Sequence, residues 1–331
     1  MRFIKPATLL VASALCTIAS AAAAQESADA KTYPSRPIRM IVPFPAGGPA
    51  DTIARIVAQR MFAHWQQAVV IENRAGGNTA IGAELVAKSS ADGYTLLVAM
   101  DVTMVMNPLV MKNLPYEPLR DFTPVTLLNK SISLITTRSD GPKTIAELIA
   151  KAKTHPNTLN MGAGTITSRL GALAFAKAAG IDVALVPYKG SADITQGLLT
   201  GAVDFALDSV SNALPLIRAG KFRALAKYSE RPLPLMPDVP SLSVAAGLPG
   251  IGESSTWIAL VAPRATPAPV IDKLQREVAA IFADPALEAH LHEAGLVAES
   301  STPDQLESLI RSDSARWKAL IDTGIADKIL N

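Results

Sequence analysis

The stretch RMIVPFPAGGPADTIAR, residues 39–55, decides the fold. Arg39 to Pro43 suit a strand, and residues 44–50 are drawn only from Phe, Pro, Ala and Gly. A helical period then begins at about Asp51, with Ile53, Ile56, Val57 and Met61 on one stripe and Arg55, Gln59 and Arg60 off it. A glycine pair between a buried strand and a helix leaves backbone N–H groups free at the helix N-terminus, and such groups attract anions.

Working outward, the same alternation recurs. IRMIV, AVVIEN, YTLLVA, SLITT, ALVPY, DFALDS and FRALA read as strands, with helical runs between them such as 51–63, 143–153, 168–179 and 269–283. Strand–helix alternation predicts an α/β fold with sheets covered by helices, whose ligands lie beyond the carboxyl ends of the strands. Two stretches break the pattern. FTPVTLLNKSISLITTR (122–138) and ESSTWIALVAP (253–263) are long extended runs, read as crossings between two domains.

The N-terminus is set apart. Arg2 and Lys5 precede the apolar run ATLLVASALCTIA, and Ala22-x-Ala24 stands before Gln25, which predicts a signal peptide over 1–24 cleaved after Ala24. The run is too short to span a bilayer. Of 31 basic residues, Arg2 and Lys5 leave with it, so the mature chain has 29 basic and 29 acidic residues. That balance argues against a nucleic-acid partner. The single cysteine, Cys16, leaves too, so the exported chain must be stabilised by its core rather than by disulfides.

Catalytic signatures are missing. No HExxH, CxxC, GxSxG, GxxxxGK[ST] or GxGxxG occurs, and the four histidines are not spaced as a metal site: His290 and His292 diverge on a helix, while His64 and His155 are isolated. The expectation is no enzyme, no cofactor and no metal. What remains is a set of loops suited to an anion. To 44–51 are added NRAGGNTAIGAE (73–84), NMGAGTITSRLGALAF (160–175) and VPYKGSADITQGLLTGAVDFALD (186–208). Such loops, drawn from both domains, suit a cleft with convergent donors.

Taken together and in order, YPSRPIRMIVPFPAGGPADTIAR, VIENRAGGNTAIGAELVAKSSADGYTLL, NP…LPYEPLRDFTPVTLL, VPYKGSADITQGLLTGAVDFALD, IRAGKFRALA and PDVPSL…AGLPG resemble the Bug-type family, periplasmic solute receptors of tripartite tricarboxylate transporters. The resemblance implies a two-lobed "Venus flytrap" joined by two hinge strands, with lobe 1 at 33–128 and 257–331 and lobe 2 at 129–256. It implies a monomer that captures a small organic carboxylate and delivers it to membrane subunits of an importer; presentation of the ligand to a sensor protein is the alternative. By resemblance, Phe44, Ala46, Gly47 and Gly48 approach one ligand carboxylate through backbone N–H groups, and Asp51 orders that turn. Asn78, Met100 and Thr103 join them from lobe 1, and Thr165, Thr167, Ser168, Arg169, Tyr188, Lys189 and Asp208 face them from lobe 2.

The chain departs from the family pattern at presumed pocket positions. Family members commonly have Gly-Thr and later Thr-His before Asn-Pro, where this chain reads AMDVTMVMNP (99–108); Ser168-Arg169-Leu170 stands for Ser-His-Leu, Leu173 for a Glu, and Ser209 for an Asn. If 100–106 were extended, Met100, Met104 and Met106 would share a face and Asp101 would point away from them. That arrangement predicts a ligand with one carboxylate on an apolar or aromatic body, with Arg169 available for a second carboxylate.

Overall fold

The computed structural model describes residues 32–188, 191–293 and 295–325. The signal segment 1–24 with Cys16, and Lys189, lie outside the described residues. In chain order the elements are β1 (Ile38–Val42), α1 (Pro49–Trp65), β2 (Val69–Asn73), α2 (Ala80–Ala87) and β3 (Thr95–Met100). A π-helical turn (Val102–Met106) then runs into α3 (Asn107–Val110), followed by α4 (Pro118–Asp121) and β4 (Phe122–Arg138). Next come α5 (Ile145–Thr154), β5 (Asn160–Ala163), α6 (Ile166–Ala179), β6 (Ala184–Pro187), α7 (Ser191–Thr200) and β7 (Phe205–Ser209). The chain continues through α8 (Val210–Arg218), β8 (Phe222–Lys227), α9 (Leu242–Ala246), β9 (Ser255–Pro263), α10 (Ala268–Phe282), α11 (Pro285–Glu293) and α12 (Pro303–Leu320).

The strands make a mixed α/β sheet in the order β2-β1-β3-β9-β4-β7-β5-β6, with β8 also on β4. Within it β1, β2 and β3 are mutually parallel, as are β5, β6 and β7. The two expected sheets are therefore two ends of one ladder, because β4 is long enough to pair with both. Its first part lies against β9, and its last residues pair with β7 and β8. Pro124 is tolerated in so long a strand because the register shifts beside it, between Pro124 and Thr126.

Both faces of the first strand group are buried, and the pleat sorts its side chains. Met40, Leu96, Val98 and Leu260 pack on one face with Ile53, Val57 and Met61 of α1 and Leu274 and Val278 of α10. Their neighbours Ile41, Leu97, Ala99 and Val261 pack on the other with Leu306, Ile310 and Trp317 of α12. That alternation is the period-two consequence of strand geometry, here with two covered faces. Each fully buried side chain of this kind contributes about 1.5–3 kcal/mol relative to exposure. The second group has its own core, in which Met161, Phe205 and Leu207 meet Leu148 of α5 and Phe175 of α6.

The direction of the strands fixes where a ligand can sit. β9 is antiparallel to both β3 and β4, and β7 is antiparallel to β4, so β1–β3 run along β4 and β5–β7 run against it. Met100, at the end of β3, is level with Ile258, which is level with Asn129; Ser209, at the end of β7, is level with Ser133. The two carboxyl edges therefore face each other across a four-residue step of β4, about 13 Å at the usual strand rise.

Candidate functional site

Each edge is built of a strand end, a turn and a helix N-terminus. On the first edge, β1 leads through 43–48 into α1. Gly47 has φ +85°, a region L side chains rarely adopt, and no neighbouring atom would lie within 4 Å of a Cβ there. Gly48 is the N-cap, with ordinary extended backbone (φ −80°, ψ 171°) and no side-chain cap. The first N–H groups of α1 thus lack intrahelical partners, and Pro49 takes the position where a missing N–H costs nothing. Phe44 is half-buried, and Ala46 and Gly47 are exposed.

Asp51 is buried, and its carboxylate is committed to the turn itself. Oδ2 accepts from the Gly47 N–H and from Arg55 Nε, both at 2.9 Å, and Oδ1 accepts from Asn73 Nδ2 at 2.9 Å. Asn73 Nδ2 also donates to the Phe44 carbonyl at 3.1 Å, tying the end of β2 to the same loop. Burial alone would raise the Asp51 pKa, but Arg55, the Gly47 N–H and the Asn73 amide together hold it down to about 2.

The second glycine loop is held by a buried polar network. Asn78 and Thr79 both have positive φ (51° and 78°). Asn78 Nδ2 donates to Asn107 Oδ1 at 2.6 Å, and Asn107 Nδ2 donates back to the Asn78 carbonyl at 2.6 Å. The Thr103 hydroxyl donates to Thr79 Oγ1 at 2.9 Å, and Tyr116 Oη donates to the Thr103 carbonyl at 2.7 Å. Asn78 itself is exposed, whereas Thr103 and Asn107 are wholly buried. Thr103 therefore braces the loop from behind and presents no surface to the gap.

The methionine arrangement anticipated for 100–106 does not occur. The strand ends at Met100 and 102–106 is helical, so strand alternation does not apply. Met104 and Met106 are core residues at 1% and 0% exposure, and only Met100 stays half-exposed at the edge. Asp101 is buried.

On the second edge α6 is capped by its own side chains, whereas Ser209, the N-cap of α8, makes no side-chain cap bond. Thr165 Oγ1 accepts the Ser168 N–H at 3.2 Å, and Ser168 Oγ accepts the Gly164 N–H at 3.1 Å and donates to the Thr165 carbonyl at 2.9 Å. Asp208, at the end of β7, accepts the Ser209 N–H at 2.8 Å and Asn212 Nδ2 at 3.1 Å. Arg169 differs. One terminal nitrogen donates to the Tyr188 carbonyl at 3.1 Å, while the buried Nε has no partner and the side chain makes no ion pair among the described residues. Desolvation lowers its pKa from the ordinary guanidinium value.

The edges also touch. Thr167, fully buried in the first turn of α6, donates its hydroxyl to Asp101, which directly follows β3. Behind this contact Trp257 Nε1 donates to Asp313 Oδ2 at 2.9 Å and Arg316 pairs with Asp313 Oδ1 at 3.0 Å, binding α12 to the long strands. Asp101, Asn107 and Asn212 escape a search for glycine loops, while Asn73 opens the second of them. The signal common to Asp101 and Asn107 is a polar residue just beyond a strand end or beside an apolar helical turn.

The chain is similar to known proteins over most of its length. The profile of the tripartite tricarboxylate transporter family receptor matches residues 53–324. Protein BugT of Bordetella pertussis is 34% identical over 307 residues, covering 91% of this chain and 93% of that protein. Among solved structures, R. palustris Rpa4515 with adipate has a TM-score of 0.79 at 32% identity, over 89% of this chain and 98% of that one. MatC from Rhodopseudomonas palustris with bound malate has a TM-score of 0.76 at 31% identity, over 87% and 100%.

Proposed function

The chain belongs to the tripartite tricarboxylate transporter receptor family, and from that premise we propose that it closes two lobes on a small organic carboxylate and delivers it to the membrane subunits of a tripartite importer. Its relatives are solute-binding receptors, and the chain is a receptor rather than an enzyme.

The observation that carries the ligand class is the pairing of the edges. An uncapped helix N-terminus on one side faces the edge that bears Arg169, a guanidinium whose buried Nε is without a partner. Backbone donors at a helix N-terminus and a partly desolvated guanidinium are both complementary to carboxylates. The short dicarboxylates bound by Rpa4515 and MatC, adipate and malate, support the same class. In this reading Phe44–Gly48 and Asn78 meet one end of the ligand, Arg169 and Tyr188 the other, and Met100 lines the floor.

The lobes are 33–128 with 257–331, and 129–256, hinged at β4 and β9. The tail's attachment to the first part of β4 supports that division: Thr126 Oγ1 donates to the Ser301 carbonyl at 2.9 Å and the Leu127 N–H to Ser301 Oγ at 3.1 Å. The receptor works as a periplasmic monomer after cleavage behind Ala24. Ligand shifts an open–closed equilibrium by its greater affinity for the closed form.

A thermal-shift panel of adipate, malate, citrate and benzoate tests the reading. A ligand at a hundred times its Kd stabilises by about 2.7 kcal/mol, a rise of several degrees. A shift with adipate or malate is expected; no shift with any member contradicts the assignment.

A further inference from the structure

Asp101 and Thr167 are remote in sequence and belong to opposite strand groups. Asp101 follows β3 and opens the π-helical turn, and Thr167 sits in the first turn of α6 behind β5. Both are buried, at 2% and 0% exposure, and the hydrogen bond between them crosses the step separating the carboxyl edges. The long strands meet there as well, since the Trp257 backbone N–H of β9 and the Val102 N–H are near enough to Asp101 to favour its ionised form.

We propose that Asp101 and Thr167 form a positioning pair that holds the two edges of the cleft together and couples their approach to the uptake of one proton. The proposal rests on the two-lobed reading above. When the lobes part, Asp101 loses the Thr167 hydroxyl and gains water; when they close, its carboxylate is sealed among donors that carry no formal charge. Burial without a cation disfavours the ionised form.

The groups around Asp101 leave this charge without a counterion. α6 contributes the neutral Thr167, and its Arg169 is turned to the Tyr188 carbonyl. β9 contributes a backbone N–H, and the second glycine loop with Tyr116 meets the π turn through uncharged groups. α12 contributes Asp313, which repels Asp101 and is itself held by Arg316 and the Trp257 indole. Desolvation, with Asp313 adding to it and the Thr167 bond opposing it, pushes Asp101 up to about 7 in this closed arrangement. An open cleft returns it towards the ordinary carboxylate range near 4. The group is raised in the closed state, so closure is favoured below that range of pH and is progressively lost as pH rises through about 7.

The test reads closure and binding at pH 6 and pH 8, a window in which the carboxylates of adipate stay ionised. Scattering from the ligand-free protein should give a larger radius of gyration at pH 8 than at pH 6, and the affinity for adipate should fall about tenfold across the window. Asp101→Asn keeps the shape without the charge and should make both quantities independent of pH, which also separates Asp101 from the surface histidines. Thr167→Val should open the cleft and weaken binding at both pH values, and Thr167→Ser should restore them. A wild-type protein with the same radius and affinity at both pH values overturns the proposal, as does a pH dependence that survives in Asp101→Asn. Failure of adipate to bind at all counts against the ligand class, while the scattering arm still decides the pair.

Discussion

Helices α1 and α6, one on each edge of the cleft, solve the problem of a helix start in opposite ways. On the first, Gly48 caps α1 with no side chain, and the one buried carboxylate nearby, Asp51, is occupied by Gly47, Arg55 and Asn73. On the second, Thr165 with Ser168 satisfies the start of α6 internally, Asp208 and Asn212 bond to each other beside the start of α8, and an arginine without an ion-pair partner among the described residues stands beside them. The start of α1 thus offers backbone dipoles, and the edge beside α6 adds a full charge. Both suit an anion, but they fail differently when altered, and that difference can be measured.

The largest effect is expected at Arg169. Arg169→Ala removes the charge that answers the ligand, at a cost of about 3 kcal/mol or roughly a hundredfold in calorimetric Kd for the best-binding carboxylate of the panel. Stability should change little, since the guanidinium makes one hydrogen bond to the protein among the described residues. A loss of stability with unchanged affinity would make Arg169 a structural residue. Gly48→Val comes next. Its backbone is already in a region open to any residue, so the fold should persist while affinity drops tenfold to a hundredfold, the range of a lost hydrogen bond to a charged group. Gly47→Val is the contrasting control. At φ +85° a side chain costs about 1–2 kcal/mol of backbone strain, so chemical denaturation should show a loss of stability there.

Asp51→Asn should act on the fold more than on the ligand, costing about 2 kcal/mol at pH 7 through its bonds to Arg55 and the Gly47 N–H. Because the folded-state pKa is held down to about 2, that contribution is complete above the unfolded value near 4 and fades as pH falls towards 2. Urea titrations should therefore show a difference between the two proteins about half as large at pH 3 as at pH 7. Thr103→Val is the smallest change. It removes a buried hydroxyl that braces the second loop, and about 1 kcal/mol of stability should be lost with affinity within twofold.

The strands and glycine turns were legible because they are local: alternation and positive-φ positions are written in a few adjacent residues. The run 122–138 was read as one extended crossing and is a single strand, Phe122–Arg138. What was hidden depends on contacts far apart in the chain. The methionine run 104–106 reads equally well as strand or helix, and Asn107, bonded to the second loop and to Tyr116, ties it into a helical turn against that loop. Asp101 sits at the head of that turn, and its burial depends on Thr167, 66 residues on. Thr103 is likewise buried against Thr79, 24 residues away in the chain.

The central claim is that one ligand engages both edges at once, and hydrogen exchange with the best-binding carboxylate of the panel tests it most directly. The account predicts that saturating ligand slows exchange together at the start of α1, in residues 50–52, and at the start of α6, in residues 166–169. Protection of one edge alone, or of neither while the ligand is bound, would contradict it.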